Sequence, residues 1–133
     1  LLHEAAARGG EWVLPAAGAD AAERSPFVEA VLQYFEARLA DRMTLMEAAG
    51  WFHMSPSSFS HRFAREAGQS PMAARMALRI ERAKSLLLRG LTVEAAARQT
   101  GFFDAFHFSR TFKKHCGVSP RGFRRAAARP TTA

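Results

Sequence analysis

The sequence predicts an all-α fold, and three observations lead to that prediction. Ser-Pro pairs stand at residues 25–26, 55–56, 70–71 and 119–120, where a serine can cap a helix and a proline can occupy its first turn. Apolar residues after these pairs recur three or four positions apart, which is the spacing of one helix face. No segment shows the alternation of apolar and polar residues that is typical of a strand.

Capping residues divide the chain into helical segments. The predicted helix starts are Ser25, Thr44, Ser55, Ser70, Thr92, Asp104 and Ser119. Thr44 is followed three residues later by Glu47, a possible capping box in which each side chain satisfies the backbone N–H of the other residue. The glycines that end predicted helices are Gly68, Gly90, Gly101 and Gly117. The segments between these signals are long enough for helices and short enough for compact packing.

Each longer segment carries an apolar stripe that predicts its buried face. In the first helix the stripe is Phe27, Val31, Tyr34, Phe35 and Leu39. In the longest, which begins at Pro71, it is Met72, Met76, Ile80, Ala83 and Leu87. Phe59 and Phe63 lie one turn apart in the segment after Ser55, and Phe108 and Phe112 do the same after Asp104.

The chain contains two copies of one unit. Thr44, Ala48 and Ala49 recur as Thr92, Ala96 and Ala97, a shift of 48 residues. After the following turn the shift becomes 49, and the matching positions are Ser55 and Asp104, Phe59-Ser60 and Phe108-Ser109, Phe63 and Phe112, Gly68 and Gly117, and Ser70-Pro71 and Ser119-Pro120. The second copy therefore has one extra residue in its turn.

The repeated unit has the layout of a helix-turn-helix: a short helix, a tight turn and a capped second helix. The paired alanines are small enough to let the two helices cross closely. The residues before the caps, Met54 and Phe103, are apolar and are predicted to pack as hydrophobic staples against Phe59 and Phe108. Four phenylalanines are predicted to form the core beneath a basic surface in the second copy: Phe102, Phe108, Phe112 and Phe123.

Charge is unevenly distributed along the 133 residues, which carry 19 Lys and Arg against 12 Asp and Glu. Residues 1–47 hold 4 basic and 8 acidic side chains, a net charge of −4, whereas residues 48–133 hold 15 and 4, a net charge of +11. A basic region of this kind is typical of nucleic-acid binders, although solubility alone also favours excess basic residues. Arginine outnumbers lysine, and its planar guanidinium suits phosphates and guanine edges.

Several other classes of protein are disfavoured by the sequence. No uncharged apolar run approaches the ~20 residues that span a bilayer, and the N-terminal region lacks the order of a secretory signal. The single cysteine, Cys116, fits a reducing cytoplasm. Residues 1–24, rich in Gly, Ala and Pro, are predicted to be a tail or linker. Because the chain begins with Leu1 and not Met, we expect it to be part of a longer protein.

Enzymatic and metal-binding functions have little support in the sequence. His115 and Cys116 are adjacent, so their side chains diverge on a helix and do not form a nucleophile–base pair. The motifs H-E-x-x-H, C-x-x-C and G-x-S-x-G are absent from the sequence. We therefore expect no enzyme, no cofactor and no metal site, and we expect His107 to be packed rather than ligating.

Three segments of the sequence are specific enough to indicate a protein family: "SPSSFSHRF", "GQSP" and "AAARQTGFFDAFHFSRTFKKHCGVSPRGFRR". Residues 26–125 resemble the DNA-binding domain of the AraC/XylS family of transcription regulators. The resemblance implies seven helices: two helix-turn-helix subdomains, about residues 25–70 and 92–127, joined by a long helix of about residues 71–89, with a tail at residues 128–133. That helix would be ~28 Å long, which suits two recognition helices in successive major grooves ~34 Å apart.

The resemblance also implies which residues touch DNA. By position, the base-reading residues are Ser57, Ser60, His61, Ala105, Phe106, Ser109 and Arg110. The residues expected to bind phosphates are Arg62, Lys113, Lys114, Arg121, Arg124 and Arg125. The chain departs from the family at His61, where arginine is frequent, and at Ala105 and Phe106, where polar residues are frequent. Cys116 stands where an aromatic residue is common, and we interpret it as a small core residue.

Helix geometry adds an interpretation of Phe106. At ~100° per residue it lies ~200° from Phe108, so it is predicted to point away from the core. An exposed phenyl ring on a DNA-facing helix can meet a thymine methyl group. The alternative is that Phe106 packs against the neighbouring subdomain or the long helix.

The predicted function is a cytoplasmic, sequence-specific transcription regulator that binds double-stranded promoter DNA. Because the unit is duplicated, one chain would occupy two grooves without dimerising, on an asymmetric site. The resemblance implies RNA polymerase as a partner and a small-molecule effector sensed by an absent N-terminal domain, with no membrane partner. The alternatives are a DNA-targeting module fused to a repair enzyme and an all-α protein-interaction domain.

Overall fold

The fold is known from a computed structural model, which describes residues 24–128. Seven helices occupy these residues: α1 Pro26–Ala37, α2 Leu45–Trp51, α3 Pro56–Ala67, α4 Pro71–Leu88, α5 Val93–Gln99, α6 Ala105–Cys116 and α7 Pro120–Ala128. The part of the chain that the structure describes contains no strand, and the all-α prediction is confirmed. The predicted N-terminal tail, apart from Arg24, and the tail after Ala128 lie outside the described residues.

Side-chain caps begin all seven helices at the predicted residues. Each cap oxygen accepts a hydrogen bond from the backbone N–H three residues later, as at Ser25 (3.1 Å from Val28 N) and Asp104 (2.7 Å from His107 N). The other caps are Thr44, Ser55, Ser70, Thr92 and Ser119. Thr44 and Glu47 form the complete capping box. These bonds satisfy backbone donors that the first helical turn leaves without partners.

The first subdomain packs α1, α2 and α3 around one apolar core. Phe35, Phe59 and Phe63 are fully buried, and so are Ala48 and Ala49 of α2. The rings of Phe59 and Phe63 stack with centroids 6.5 Å apart. The aromatic stripe predicted from the sequence therefore forms this core.

The second subdomain packs α5, α6 and α7 around a second apolar core. Phe108 and Phe112 are fully buried, Phe102 is 6% exposed, and Phe123 packs against them from α7. The ring centroids of Phe102 and Phe108 are 5.0 Å apart, and those of Phe112 and Phe123 are 5.6 Å apart. The four phenylalanines predicted for this core are confirmed.

The long helix α4 connects the two subdomains and contributes to both cores. It has 18 residues, about 27 Å at 1.5 Å per residue, and ends one residue before the predicted limit because Arg89 forms its C-cap. Ala74 and Leu78 face the first core, whereas Ile80 and Ala83 face the second. Each subdomain is thus anchored on a different stretch of one rigid element.

One staple prediction is correct and the other is wrong. Met54 packs against the first core, but Phe103 is 85% exposed. The backbone N–H of Met54 donates to Ala49, and the N–H of Phe102 donates in the same way to Ala97. Phe102 is therefore the structural counterpart of Met54, and Phe103 is the extra residue of the longer turn.

Candidate nucleic-acid interface

The second helix of each unit, α3 or α6, has one buried and one open face. On α3 the residues predicted to read bases are open to solvent: Ser57 and His61 are exposed and Ser60 is half-buried. Their counterparts 49 positions later in α6, Phe106, Ser109 and Arg110, show the same sequence of exposure. The two helices therefore present matching surfaces with different chemistry.

A groove of about 360 Å³ runs beside the exposed face of α6. It brings together three residues predicted to read bases, Ala105, Phe106 and Ser109, with Arg121, which was predicted to bind phosphate. The remaining walls are Val93 and Glu94 at the start of α5 and Ser119 and Pro120 at the start of α7. The starts of three helices thus border one surface, and helix starts carry partial positive charge.

Phe106 lies on the open side of α6, where its angular position predicted it. Its side chain is 79% exposed, so packing against the other subdomain or the long helix does not account for it. The guanidinium of Arg110 lies 5.9 Å from the centre of the phenyl ring. An apolar surface and a fork of N–H donors are therefore presented side by side.

Glu94 is a residue of this groove that the sequence reasoning missed. In the sequence it is only an acidic residue in the first turn of α5, a common stabilising position. Folding places it beside Phe106 and Arg121. Its negative charge disfavours phosphate at that spot, whereas a carboxylate can accept a hydrogen bond from a cytosine amino group.

Basic side chains surround the second unit. Lys113 and Lys114 are exposed in the last turn of α6, where cations also interact favourably with the helix dipole. Arg121, Arg124 and Arg125 of α7 line a second cavity of about 370 Å³ with Leu87 and Leu88 of α4. Arg124 also donates to the Gly90 carbonyl at 3.2 Å, which holds it near the end of α4.

Arg62, the phosphate residue predicted in the first unit, has partners within its own subdomain. Its guanidinium lies 4.1 Å from the centre of the Phe27 ring, and its Nε donates to Glu66 at 2.9 Å. Hydrogen bonds from Ser25 and Arg62 lower the pKa of the Glu66 carboxyl, so this acid stays charged. Arg62 thereby ties the second helix of the unit to α1.

His115 and Cys116 of α6 are partly buried, and His107 contacts an aromatic ring of the second core. Burial lowers the pKa of His115, with a further contribution from Lys114, and burial raises the pKa of the Cys116 thiol. Cys116 packs against the second core, in line with its interpretation as a small core residue. His107 is exposed but contacts Phe102 edge-on, at a centroid distance of 5.5 Å. Among residues 24–128, no three His, Cys, Asp or Glu side chains are grouped closely enough to hold a metal.

Membrane insertion finds no support in the described helices. Even α4, the longest of those in residues 24–128, is not apolar enough to cross a bilayer.

Known proteins match both the sequence and the fold. The helix-turn-helix domain family matches residues 48–126. The arabinose operon regulatory protein of Escherichia coli K12 is 37% identical over 99 residues, which are 73% of this chain and 34% of that protein. The chain therefore spans about a third of the regulator that it matches.

Two solved structures share the fold. The C-terminal domain of AraT, a response regulator from Geobacillus stearothermophilus, superimposes with a TM-score of 0.74 at 31% identity, covering 82% of this chain and 92% of that one. The DNA-binding domain of AdpA, a global transcriptional factor solved with a target DNA, gives a TM-score of 0.73 at 25% identity, covering 81% and 100%.

Proposed function

The chain belongs to the AraC family of helix-turn-helix regulators, as its DNA-binding domain, and from that premise we propose how it recognises its site. We propose that α3 and α6 each enter a major groove of promoter DNA, and that one chain therefore covers two successive grooves. The observation that carries this proposal is the repeat itself: two second helices expose matching positions on separate cores. The family relatives are regulators, and we propose that this domain binds DNA without catalysing a reaction.

Base recognition would differ between the two helices. Ser57, Ser60 and His61 offer small polar groups that can donate to or accept from a base edge. Arg110 offers a fork of N–H donors that matches the two acceptors of guanine. Ala105 and Ser109 complete the α6 surface. Because the two sets are unlike, the operator would be asymmetric, and binding would not require a dimer of this domain.

Phe106 would read thymine. Its exposed ring borders the groove at the start of α6, and burial of a thymine methyl group against it needs no hydrogen bond. A Phe106→Ala variant should lose affinity for sites with thymine at one position and keep its thermal stability. Unchanged base preference would contradict this assignment.

Phosphate contacts would come from the cations around α6 and α7: Lys113, Lys114, Arg121, Arg124 and Arg125. Arg62 would add a contact in the first unit through the part of its guanidinium that Glu66 leaves open. Neutralising one of these residues should weaken binding to all sequences alike and reduce the salt dependence by about one unit of slope.

The partners of the whole protein are also proposals. We propose a cytoplasmic regulator whose further domain, outside this chain, senses a small molecule and whose DNA-bound form contacts RNA polymerase. The relative from Escherichia coli is named for the arabinose operon, but the match covers only 34% of that protein, and we assign no sugar to this chain from it.

Site selection from a random duplex pool tests this function. The chain should select an asymmetric site with two half-sites about one helical turn apart. Arg110→Ala should then lose about 5–150-fold affinity at one base position, equivalent to the ~1–3 kcal/mol of a bidentate contact. His61→Ala, at the matching position of α3, serves as the control and should relax a base in the other half-site. Selection of no preferred sequence, or a palindrome that needs two copies of the chain, would refute the proposal.

A further inference from the structure

The two subdomains have separate cores that are connected through α4, so contacts beside this helix can add to the control of their relative orientation. Among the buried residues of α4, Leu78 is the last to join the first core and Ile80 is the first to join the second, while the partly buried Met76 also packs against the second. Between Leu78 and Ile80 on the same helix lies Arg79, whose side chain leaves α4 toward the loop after α1. We call residues 39–42 of that loop the joint.

The joint touches the turn of the second unit at Gly101. A Cβ built on Gly101 would lie 2.9 Å from both the Cα and the carbonyl oxygen of Ala40, and 2.9 Å from Nη2 of Arg79. A Cβ atom does not approach non-bonded atoms so closely, so only glycine fits this contact without a shift of its neighbours. The φ angle of +88° also favours glycine. The corresponding residue of the first unit is His53 at φ 58°, whose side chain is exposed.

Two arginines of α4 hold the joint in place. Arg79 Nε donates to the Leu39 carbonyl at 2.9 Å, and its Nη2 donates to the Asp41 carbonyl at 3.1 Å. Arg75 donates to the carbonyls of Leu39 (3.4 Å) and Asp41. Burial, and then the neighbouring Arg75, lower the pKa of Arg79 to about 10. A guanidinium removed from water requires well-placed acceptors, so its hydrogen bonds allow the loop little freedom.

Arg79 and the joint also contact aromatic residues of the second unit. The Arg79 guanidinium lies 5.8 Å from the centre of the Phe102 ring, in the second core. At the end of the joint, Arg42 lies 5.5 Å from the centre of the Phe103 ring. Phe103 is the extra residue of the second turn. The longer turn therefore contacts the first subdomain through a residue that has no counterpart in the shorter turn.

Taking the proposed function as given, we propose that this joint fixes the angle between α3 and α6 and thereby sets the half-site spacing that the domain accepts. Arg79 and Gly101 are positioning residues that touch no base. Each base pair added between half-sites rotates one relative to the other by a tenth of a turn. A domain with a firm joint rejects such a site, because its second helix no longer meets the groove.

A distance measurement that needs no DNA tests the joint directly. Ala64 and Lys113 are exposed, 49 positions apart, at matching places on α3 and α6. Spin labels on cysteines at these two positions, in a Cys116→Ser background, report the distance between the helices. A narrow distribution is expected for the parent and a broader or displaced one for Gly101→Ala and Arg79→Ala. Distributions identical to the parent in both variants would overturn the proposal.

The DNA arm uses a duplex that the wild-type chain selects from a random pool, together with versions that carry one base pair more or fewer between half-sites. Wild type should lose about tenfold affinity for the altered spacings, comparable to one mismatched base pair. Gly101→Ala and Arg79→Ala should bind all spacings within about threefold of one another, and Arg79→Lys, which keeps the charge and one donor, should regain part of the discrimination. Folded variants that keep the wild-type discrimination would overturn the proposal.

Matched controls separate positioning from folding. Gly117→Ala introduces a side chain at a similar φ of +83° with nothing within 4 Å, so it should change neither the distance distribution nor the spacing preference. If both joint variants fail to fold, Arg42→Gln decides, because it removes only the surface contact to Phe103. It should then broaden the distribution slightly, and no change would count against the joint. A wild-type chain that selects no duplex would refute the proposed function, whereas the label distances would still judge the joint.

Discussion

The two helix-turn-helix units of this domain have similar cores and different turns. In each, two fully buried phenylalanines one turn apart on the second helix enter the core, and a side-chain cap begins that helix at the same place. The first turn contains His53 with a positive φ and an exposed side chain. The second contains Gly101 pressed against Ala40, followed by one extra residue. The cores make each unit fold, whereas the second turn also attaches its unit to the rest of the domain.

The largest effect should come from the matched core rings. Phe63→Ala and Phe112→Ala should each lower the free energy of unfolding by about 3–5 kcal/mol, because both side chains are fully buried and leave a cavity. Urea denaturation followed by circular dichroism measures this loss. Phe106→Ala is the exposed control and should change stability by less than ~1 kcal/mol. Very unequal losses for the two core variants would break the equivalence of the units.

Substitution of the glycines with positive φ should give the next largest losses of stability. Gly68→Ala and Gly117→Ala should each cost about 1–2 kcal/mol, because alanine is strained at positive φ. Gly101→Ala should cost a further ~1–3 kcal/mol for the overlap with Ala40. Thermal and urea unfolding of the three variants measures the difference. If Gly101→Ala lowered stability no more than the other two variants, the close approach to Ala40 would have no measurable effect on stability.

The caps of α3 and α6 should be nearly equivalent. Ser55→Ala and Asp104→Ala should each lower stability by about 1 kcal/mol, because the N–H of Ser58 or His107 loses its acceptor. The loss for Asp104 should be slightly larger and should shrink at high salt, because its charge also faces a helix N-terminus. The measurement is the urea midpoint at low and high ionic strength. Equal salt sensitivity of the two variants would argue against the charge contribution.

The smallest effect should be on stability at acidic pH, where the matched residues His115 and Glu66 should affect stability in different pH ranges. Burial lowers the pKa of His115 from 6.5, so below about that pH the unfolded chain binds more protons and stability falls. Glu66, its counterpart in α3, has a pKa lowered from 4.5 by hydrogen bonds, so its contribution is lost only at more acidic pH. His115→Gln should remove the first decline and leave the second. Unfolding midpoints across pH 3–8 would show an unchanged profile if this assignment were wrong.

Local signals in the sequence were sufficient for the helices and much of the surface. Caps act over three residues and apolar stripes over one turn, so both can be read from neighbouring letters. They predicted every helix start, the phenylalanine cores and the exposure of Phe106. The repeat predicted two units and the additional residue in the second turn.

Only the tertiary structure decided how that additional residue is placed. The sequence reasoning matched Phe103 with Met54, but packing buried Phe102 and left Phe103 beside Arg42. The groove position of Glu94 and the contact of Arg62 with Phe27 also depend on elements that are distant in the chain.

The sequence by itself thus determined that this protein forms two capped, phenylalanine-centred helical units joined by a long helix. The structure alone showed that Gly101 meets Ala40 and that Arg75 and Arg79 are partly buried against backbone carbonyls. The reason is physical. Helix signals arise from contacts within one turn, whereas the joint depends on two loops far apart in the chain that meet in the folded domain beside α4.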